Sequence, residues 1–143
     1  MFWLWAFAQP QRKTKVKIKP AKGEFRLSLG ERGEMIAAAF LIEQGYKILD
    51  KKARAPFGEL DLVAQIKNTL VFVEVKTRSS AQFGLPEEAV DERKQKQMIR
   101  LAEWYFQKKT LQQMKMRFDV IAIFYEGVTE PEIRHIQNAF DAG

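Results

Sequence analysis

The sequence predicts one α/β domain, a small mixed sheet flanked by helices, with elements in the order αβββαββ. Three observations carry this expectation. Segments of helical spacing alternate with Val- and Phe-rich segments of strand spacing. The 143 residues suit a single domain. Hydrophobic residues make up 46% and charged residues 29%, which allows a real core without staples.

The first helix is expected over Ser28 to Gln44. Ala37, Phe40 and Leu41 recur at helical spacing, and Gly45 supplies the stop. Glu31 and Glu34 fall in its early turns, where the helix dipole tolerates negative charge. Tyr46 to Ala53 reads as a strand, followed by a turn at Ala55-Pro56-Phe57-Gly58. Glu59 to Ile66 alternates polar and apolar residues and reads as the next strand. A short turn over Lys67-Asn68-Thr69 leads into Leu70 to Lys76, an apolar and more buried strand. The two strands form a hairpin. Arg78 to Leu85 is a polar loop, and Pro86 is expected to open the second helix. That helix runs to about Lys109, with Met98, Leu101, Ala102 and Tyr105 on one face. Phe118 to Phe124 and Glu132 to Gln137 complete the strands. No internal repeat or low-complexity tract is present.

Composition removes several chemistries. Cysteine is absent, which excludes a disulfide framework, a thiolate zinc site and a cysteine nucleophile. A single histidine excludes a His-rich metal site and argues against a Ser–His triad. The net charge is +6, and its position is informative. Six of the 24 basic residues lie within residues 11–22, which contain no acid, so the remaining 18 balance the 18 acidic residues. A basic arm of this kind attracts polyanions, nucleic acid first and anionic membrane second, or serves as a solvated tail. Ahead of it, Met1 to Ala8 is apolar and aromatic. That stretch falls short of the ~20 residues a spanning helix needs, so no stable membrane insertion is expected. Its charge follows the apolar residues, opposite to a signal peptide, so a cytoplasmic location is expected. Residues 1–22 are therefore taken as a flexible arm and 23–143 as the domain.

The hairpin carries the chemistry. Side chains alternate along a strand, so Glu59 and Asp61 share one face, and Glu74 and Lys76 share one face of the partner. A turn at Lys67-Asn68 places Asp61 opposite Glu74 and Glu59 opposite Lys76. A turn at Asn68-Thr69 places Asp61 opposite Lys76, with Glu74 diagonal. A three-residue loop would separate Asp61 from Glu74, so register decides the site. Two opposed carboxylates sit with Cβ atoms roughly 5 Å apart and repel unless a cation bridges them. Oxygen ligands without His or Cys suit Mg²⁺ or Mn²⁺. A lysine beside such a metal suits phosphodiester hydrolysis. The plain alternative is a salt-bridged surface hairpin.

Asp61, twelve residues, then Glu74-Val75-Lys76 fits the D…E-x-K signature of the PD-(D/E)xK nuclease superfamily. Around it stand G-E-L-D-L-V (Gly58–Val63), V-F-V-E-V-K-T-R (Val71–Arg78), F-G-x-P-E-E-A-V (Phe83–Val90) and R-F-D-V (Arg117–Val120). G-E-x-x-A-A (Gly33–Ala38) precedes them and H-I-x-N-A-F (His135–Phe140) follows. Over about residues 28–140 the chain resembles the YraN-like family of small bacterial proteins, which are predicted endonucleases.

The resemblance implies a restriction-endonuclease-like core and a Mg²⁺- or Mn²⁺-dependent endonuclease acting on DNA, with branched or junction DNA as one substrate class. It implies that Asp61 and Glu74 bind the metal with the main-chain carbonyl of Val75. It implies that Lys76 positions or activates the water, and that Glu34 completes the catalytic set. Glu59 is expected to partner Lys76. Arg78, Lys94 and Lys96 are candidate nucleic-acid contacts, with a solvated basic face as the alternative. Asp119 is expected to pair with Arg117 or a backbone group, His135 to be structural, and Trp104, Tyr105 and Phe106 to pack in the core or an interface. Symmetric cutting of a junction needs two sites, which points to a homodimer. Two other readings stay open: a nucleic-acid-binding module with little or partner-dependent activity, and a peripheral membrane or interaction protein using Phe2–Phe7. The residues do not separate DNA from RNA.

Overall fold

The computed structural model of the chain describes residues 12–15, 27–79, 90–109, 113–125 and 130–142. Expectations for residues 1–11 and 16–22, and for the loop and helix start within 80–89, lie outside the described residues. The elements are β1 (Arg12–Lys15), α1 (Leu29–Glu43), β2 (Lys47–Ala55), β3 (Gly58–Ile66), β4 (Thr69–Arg78), α2 (Glu92–Lys109), β5 (Lys115–Phe124) and β6 (Glu132–Phe140). From α1 onward they follow the expected αβββαββ order. They build one six-stranded sheet in the order β1-β6-β5-β4-β3-β2. β1 is an edge strand pairing Arg12 with His135 and Lys15 with Glu132, so four residues of the basic arm join the sheet. The β4–β5 pair is parallel, while the other pairs are antiparallel. Parallel neighbours need a crossover, and α2 lies on it.

α1 opens with a capping box. Ser28 Oγ accepts from the Glu31 N–H at 3.2 Å, and Glu31 Oε2 accepts from the Ser28 N–H at 2.8 Å. It ends before Gly45, whose φ of 94° suits glycine. Ile36, Ala37, Phe40 and Leu41 are buried with Leu62, Ala64, Val71, Val73, Ile121 and Ile123 on one side of the sheet. Met98, Leu101, Ala102 and Tyr105 of α2 are buried with Leu70, Phe72, Phe118 and Phe140 on the other. Each helix thus covers one face, and the sheet is the middle layer. Trp104 and Phe106 pack partly buried beside Tyr105, as the helical spacing indicates.

Three boundaries differ from the sequence reading by three residues or more, each for a local reason. α2 begins at Glu92 rather than at Pro86. Asp91 caps it: its Oδ1 accepts from the Lys94 N–H at 2.9 Å, and its carbonyl accepts from the Gln95 N–H at 2.9 Å. β5 starts at Lys115, whose N–H reaches the Asn68 carbonyl at 3.0 Å beside the hairpin turn. β6 continues past Gln137 to Phe140 across an irregularity. Phe118 pairs with Phe140 but Val120 pairs with Ile136, and Asn138 takes a φ of 52°. The Asn138 N–H, displaced from the ladder, donates to Asp119 Oδ1 at 3.0 Å.

Asp119 is fully buried and more heavily engaged than one expected partner would require. Arg117 donates to it through Nε at 2.9 Å and Nη2 at 2.7 Å. His135 Nε2 lies 2.7 Å from Oδ2. An ionised carboxylate only accepts, so His135 Nε2 carries the proton. Arg117 also donates to the Tyr46 hydroxyl at 2.7 Å, and the His135 ring packs edge-on to Phe40 and Tyr46. Burial pushes the Asp119 carboxyl up, but the bonds from His135 and Arg117 outweigh it and hold the group below its ordinary value. This cluster ties β5, β6 and the start of β2 together, the structural role expected of Asp119 and His135.

Candidate active site

The hairpin takes the first of the two even registers. Ile66 pairs with Thr69 and Leu62 with Val73 around a two-residue turn at Lys67-Asn68, where Lys67 adopts a φ of 50°. Continuing that register brings Asp61 opposite Glu74, but the strand does not continue ideally. Leu62 packs on the α1 side while Leu60, two residues away, packs on the α2 side. Simple alternation would place both on one face. The break falls at Asp61. Its Oδ2 accepts the Val75 N–H at 2.9 Å, so a side chain takes the place of a ladder carbonyl.

Glu74 is 5% exposed and lies next to Asp61. Burial, then the Glu74 charge, push the Asp61 carboxyl up to about 7, against the pull of the Val75 N–H. Lys76 Nζ stands 3.2 Å from Glu74 Oε1. Asp61, Glu74 and Lys76 are therefore gathered where β3 and β4 leave the ladder.

Glu34 approaches from α1. Its charge reaches Asp61, and its own carboxyl is raised by burial, with Lys52 opposing and Glu59 adding to the rise. It is held by Lys52 Nζ at 3.6 Å, an ammonium that also stands 3.8 Å from Glu31. Glu34 is brought here by a close contact. A Cβ added at Gly33 would overlap Thr77 Oγ1 of β4 and crowd its Cβ at 2.9 Å. Glycine alone lets the first turns of α1 sit against the end of β4. Gly33→Ala is expected to cost about 1–3 kcal/mol, despite alanine's better helix propensity, because Thr77 is backed by the sheet. Urea unfolding checks this, and unchanged stability would contradict the packing argument.

Glu59 does not partner Lys76. It pairs with Arg54, the residue opposite it on β2, at 3.0 Å. The turn of the backbone at Asp61 removes Glu59 from the face of Lys76 and leaves it to β2. Lys94 also meets this site. Its Nζ lies 3.4 Å from Glu74 Oε1, so it belongs to the carboxylate cluster. With the helix taken to open at Pro86, the sequence hides that Lys94 lies in the first turn, where a cation opposes the helix dipole and needs another partner. Lys96 stays apart on the exposed side of α2, paired with Glu92 at 3.4 Å. Arg78, at the end of β4, donates to the neighbouring Thr77 carbonyl at 3.1 Å.

The donor set is oxygen only: two carboxylates, with the Val75 carbonyl between Glu74 and Lys76. Two adjacent like charges, Glu74 buried and Asp61 half-buried with its carboxyl raised, fit a hard divalent cation that would relieve their repulsion. Among the described residues, no group of three or more His, Asp or Glu side chains gathers to hold a metal. Water and phosphate oxygens would have to complete the shell of Mg²⁺ or Mn²⁺, as is usual for such ions.

Fold and site together define an α/β protein with a restriction-endonuclease-like core that carries the D…E-x-K residues on its central hairpin. The family model described as uncharacterised protein family UPF0102 matches residues 33–123. A UPF0102 protein of Syntrophotalea carbinolica is 52% identical over 116 residues, covering 81% of this chain and 94% of that protein. A UPF0102 protein of Caldanaerobacter subterraneus is 46% identical over 115 residues, covering 79% of this chain and 94% of the relative. One of Clostridioides difficile is 41% identical over 111 residues, covering 78% of this chain and 95% of the relative. The chain belongs to UPF0102, the YraN-like family that the sequence motifs resemble. No helix among the described residues is long and apolar enough to cross a membrane.

Proposed function

We propose that this protein is a Mg²⁺- or Mn²⁺-dependent endonuclease that hydrolyses phosphodiester bonds in DNA, branched or junction DNA among its substrates. The observation that carries the reading is the juxtaposition of half-buried Asp61 and buried Glu74 beside Lys76. Buried like charges are costly, and a folded protein keeps such a pair where a ligand repays it. Asp61 and Glu74, with the Val75 carbonyl, would hold the cation. When bound, the cation polarises a phosphate and lowers the pKa of its water. Lys76 orients the attacking water and balances the charge that develops on the phosphoryl oxygens. Glu34 sets the field on Asp61 from the α1 side. Lys94 offers a second ammonium to the same anions. A homodimer would supply the two sites that symmetric junction cutting requires.

The test is cleavage of labelled linear, flap and four-way-junction DNA with EDTA, Mg²⁺ or Mn²⁺. Glu74→Ala and Lys76→Ala are each expected to reduce metal-dependent cleavage by at least about 100-fold while the protein stays folded. Cleavage that survives both substitutions would sink the assignment.

One observation favours a second reading, a nucleic-acid-binding module with little or partner-dependent activity. Glu74 is already met by two ammonium groups, from Lys76 and Lys94, so its charge is compensated without a metal. DNA binding retained in both variants, with no cleavage by any form, would select this reading.

A further inference from the structure

A groove lies between the edge strand β2 and the C-terminal half of α2, outside the carboxylate cluster. It is shallow and open, with a volume of about 540 Å³, and is lined by Arg54, Pro56, Trp104, Gln107 and Lys108. It continues into a hollow of about 200 Å³ that shares Arg54, Trp104 and Lys108 and adds Lys52, Lys109 and Asp50. The lining is strongly basic. Its one acid, Asp50, already accepts the Tyr105 hydroxyl at 2.9 Å. Arg54 is 78% exposed along its side chain, and its pair with Glu59 is a surface pair that a phosphate can replace. Trp104 is half-buried, and the ammonium of the exposed Lys108 stands over its ring at 4.8 Å, a surface contact that a stacking base displaces toward the flanking phosphate. The groove also connects to the candidate active site. Lys52, at its far end, is the residue whose ammonium reaches Glu34.

We infer that this groove binds an unpaired DNA strand, with Trp104 stacking on a base and Arg54, Lys108 and Lys109 meeting the flanking phosphates. The inference rests on the nuclease reading only for what lies next to the groove, and it deepens that reading by naming the substrate's form. The argument is chemical. An aromatic ring set among cations recognises nucleic acid by stacking plus backbone charge. In a duplex the base faces are already stacked on one another, so an indole at the protein surface gains a partner only from an unpaired base. A substrate with a single-stranded arm beside a cleavable bond, such as a flap, satisfies both the groove and the carboxylate cluster.

The test measures binding without cleavage. Fluorescence anisotropy in EDTA would compare labelled oligothymidylate with a blunt duplex of equal length. Variants are Trp104→Ala, Trp104→Phe and Lys108→Glu, each checked for folding by circular dichroism. Trp104→Ala is expected to weaken oligothymidylate binding roughly tenfold and leave the blunt duplex nearly unchanged, with Trp104→Phe restoring most of the loss. Lys108→Glu should weaken oligothymidylate binding and flatten its salt dependence. Equal losses on both ligands, or no loss on either, would overturn the inference and leave the β2 charges as guards of an exposed sheet edge. The two readings fail separately. Trp104-dependent strand binding without Mg²⁺-dependent cleavage keeps the groove and removes the nuclease. Cleavage of a flap that is indifferent to Trp104 keeps the nuclease and removes the groove.

Discussion

Replacing Asp119 with alanine is expected to cost about 3–5 kcal/mol of folding stability, the largest loss among the substitutions considered. The carboxylate is fully buried and accepts from Arg117, His135 and the Asn138 backbone. Its removal strands a guanidinium whose side chain is 21% exposed and a histidine whose side chain is 3% exposed. Tyr46 still meets Arg117, but a hydroxyl does not balance a charge. The irregular turn of β6 at Asn138 loses its anchor in the same step. For a chain of this size the loss corresponds to a melting temperature roughly 10–15 °C lower. Asp119→Asn keeps the shape but turns an amide toward donors, and it should fall most of the way to the alanine variant. The linkage is the acid kind. The folded group lies below its ordinary value, so its contribution is present above the unfolded carboxylate value and is lost as pH falls through the folded one. Denaturation of wild type and both variants checks this, and a loss below about 1 kcal/mol would show that the network is dispensable.

Asp61→Asn should act in the opposite direction on stability while abolishing cleavage. Asp61 is raised from 3.8 to about 7, first by burial and then by Glu74. A carboxyl raised in the folded state stabilises through its protonated form. That contribution is complete below the unfolded value and is lost as pH rises through about 7. Asparagine keeps an oxygen for the Val75 N–H and removes the charge facing Glu74. At about pH 8 the metal-free variant should therefore melt on the order of 5–10 °C above wild type, and the gap should close toward about pH 4. Mg²⁺ or Mn²⁺ should raise the melting temperature of wild type and leave the variant unmoved. Parallel melting curves for the two proteins across this range would mean that Asp61 is not held in a charge-hostile position. A substitution that stabilises the fold and abolishes cleavage would be the trade-off expected of a functional site.

Much of the architecture is legible in the sequence because burial imposes period. Val71, Val73 and Phe72 announce β4, and Met98, Leu101, Ala102 and Tyr105 announce the inner face of α2. What is not legible is set by single side chains acting on backbone. Asp91 moves the start of α2, and Asp119 carries β6 through Asn138. The twist at Asp61 reassigns Glu59 from Lys76 to Arg54. The core of the site, Asp61, Glu74 and Lys76, follows from strand alternation plus the correct turn. Lys94 and Lys52 do not, because each arrives from a different element, and tertiary packing alone decides which acid it meets.

The parallel pairing of β4 with β5 has a consequence for how the protein acquires its chemistry. The β3–β4 hairpin joins neighbours in the chain and closes a short loop. β5 must find β4 across the whole α2 crossover, aligning Lys115 with Thr69. Closing the long loop costs more chain entropy than closing the short one, so the hairpin needs far less of the fold than its burial does. On a hairpin without its covering layers Asp61 and Glu74 would be hydrated, and water would screen their repulsion. Only the docking of α1 and α2 dries them. Local contacts thus pair the residues, and long-range contacts alone make them chemically unusual. Whatever affinity they have for a cation is acquired with the last layers of the fold.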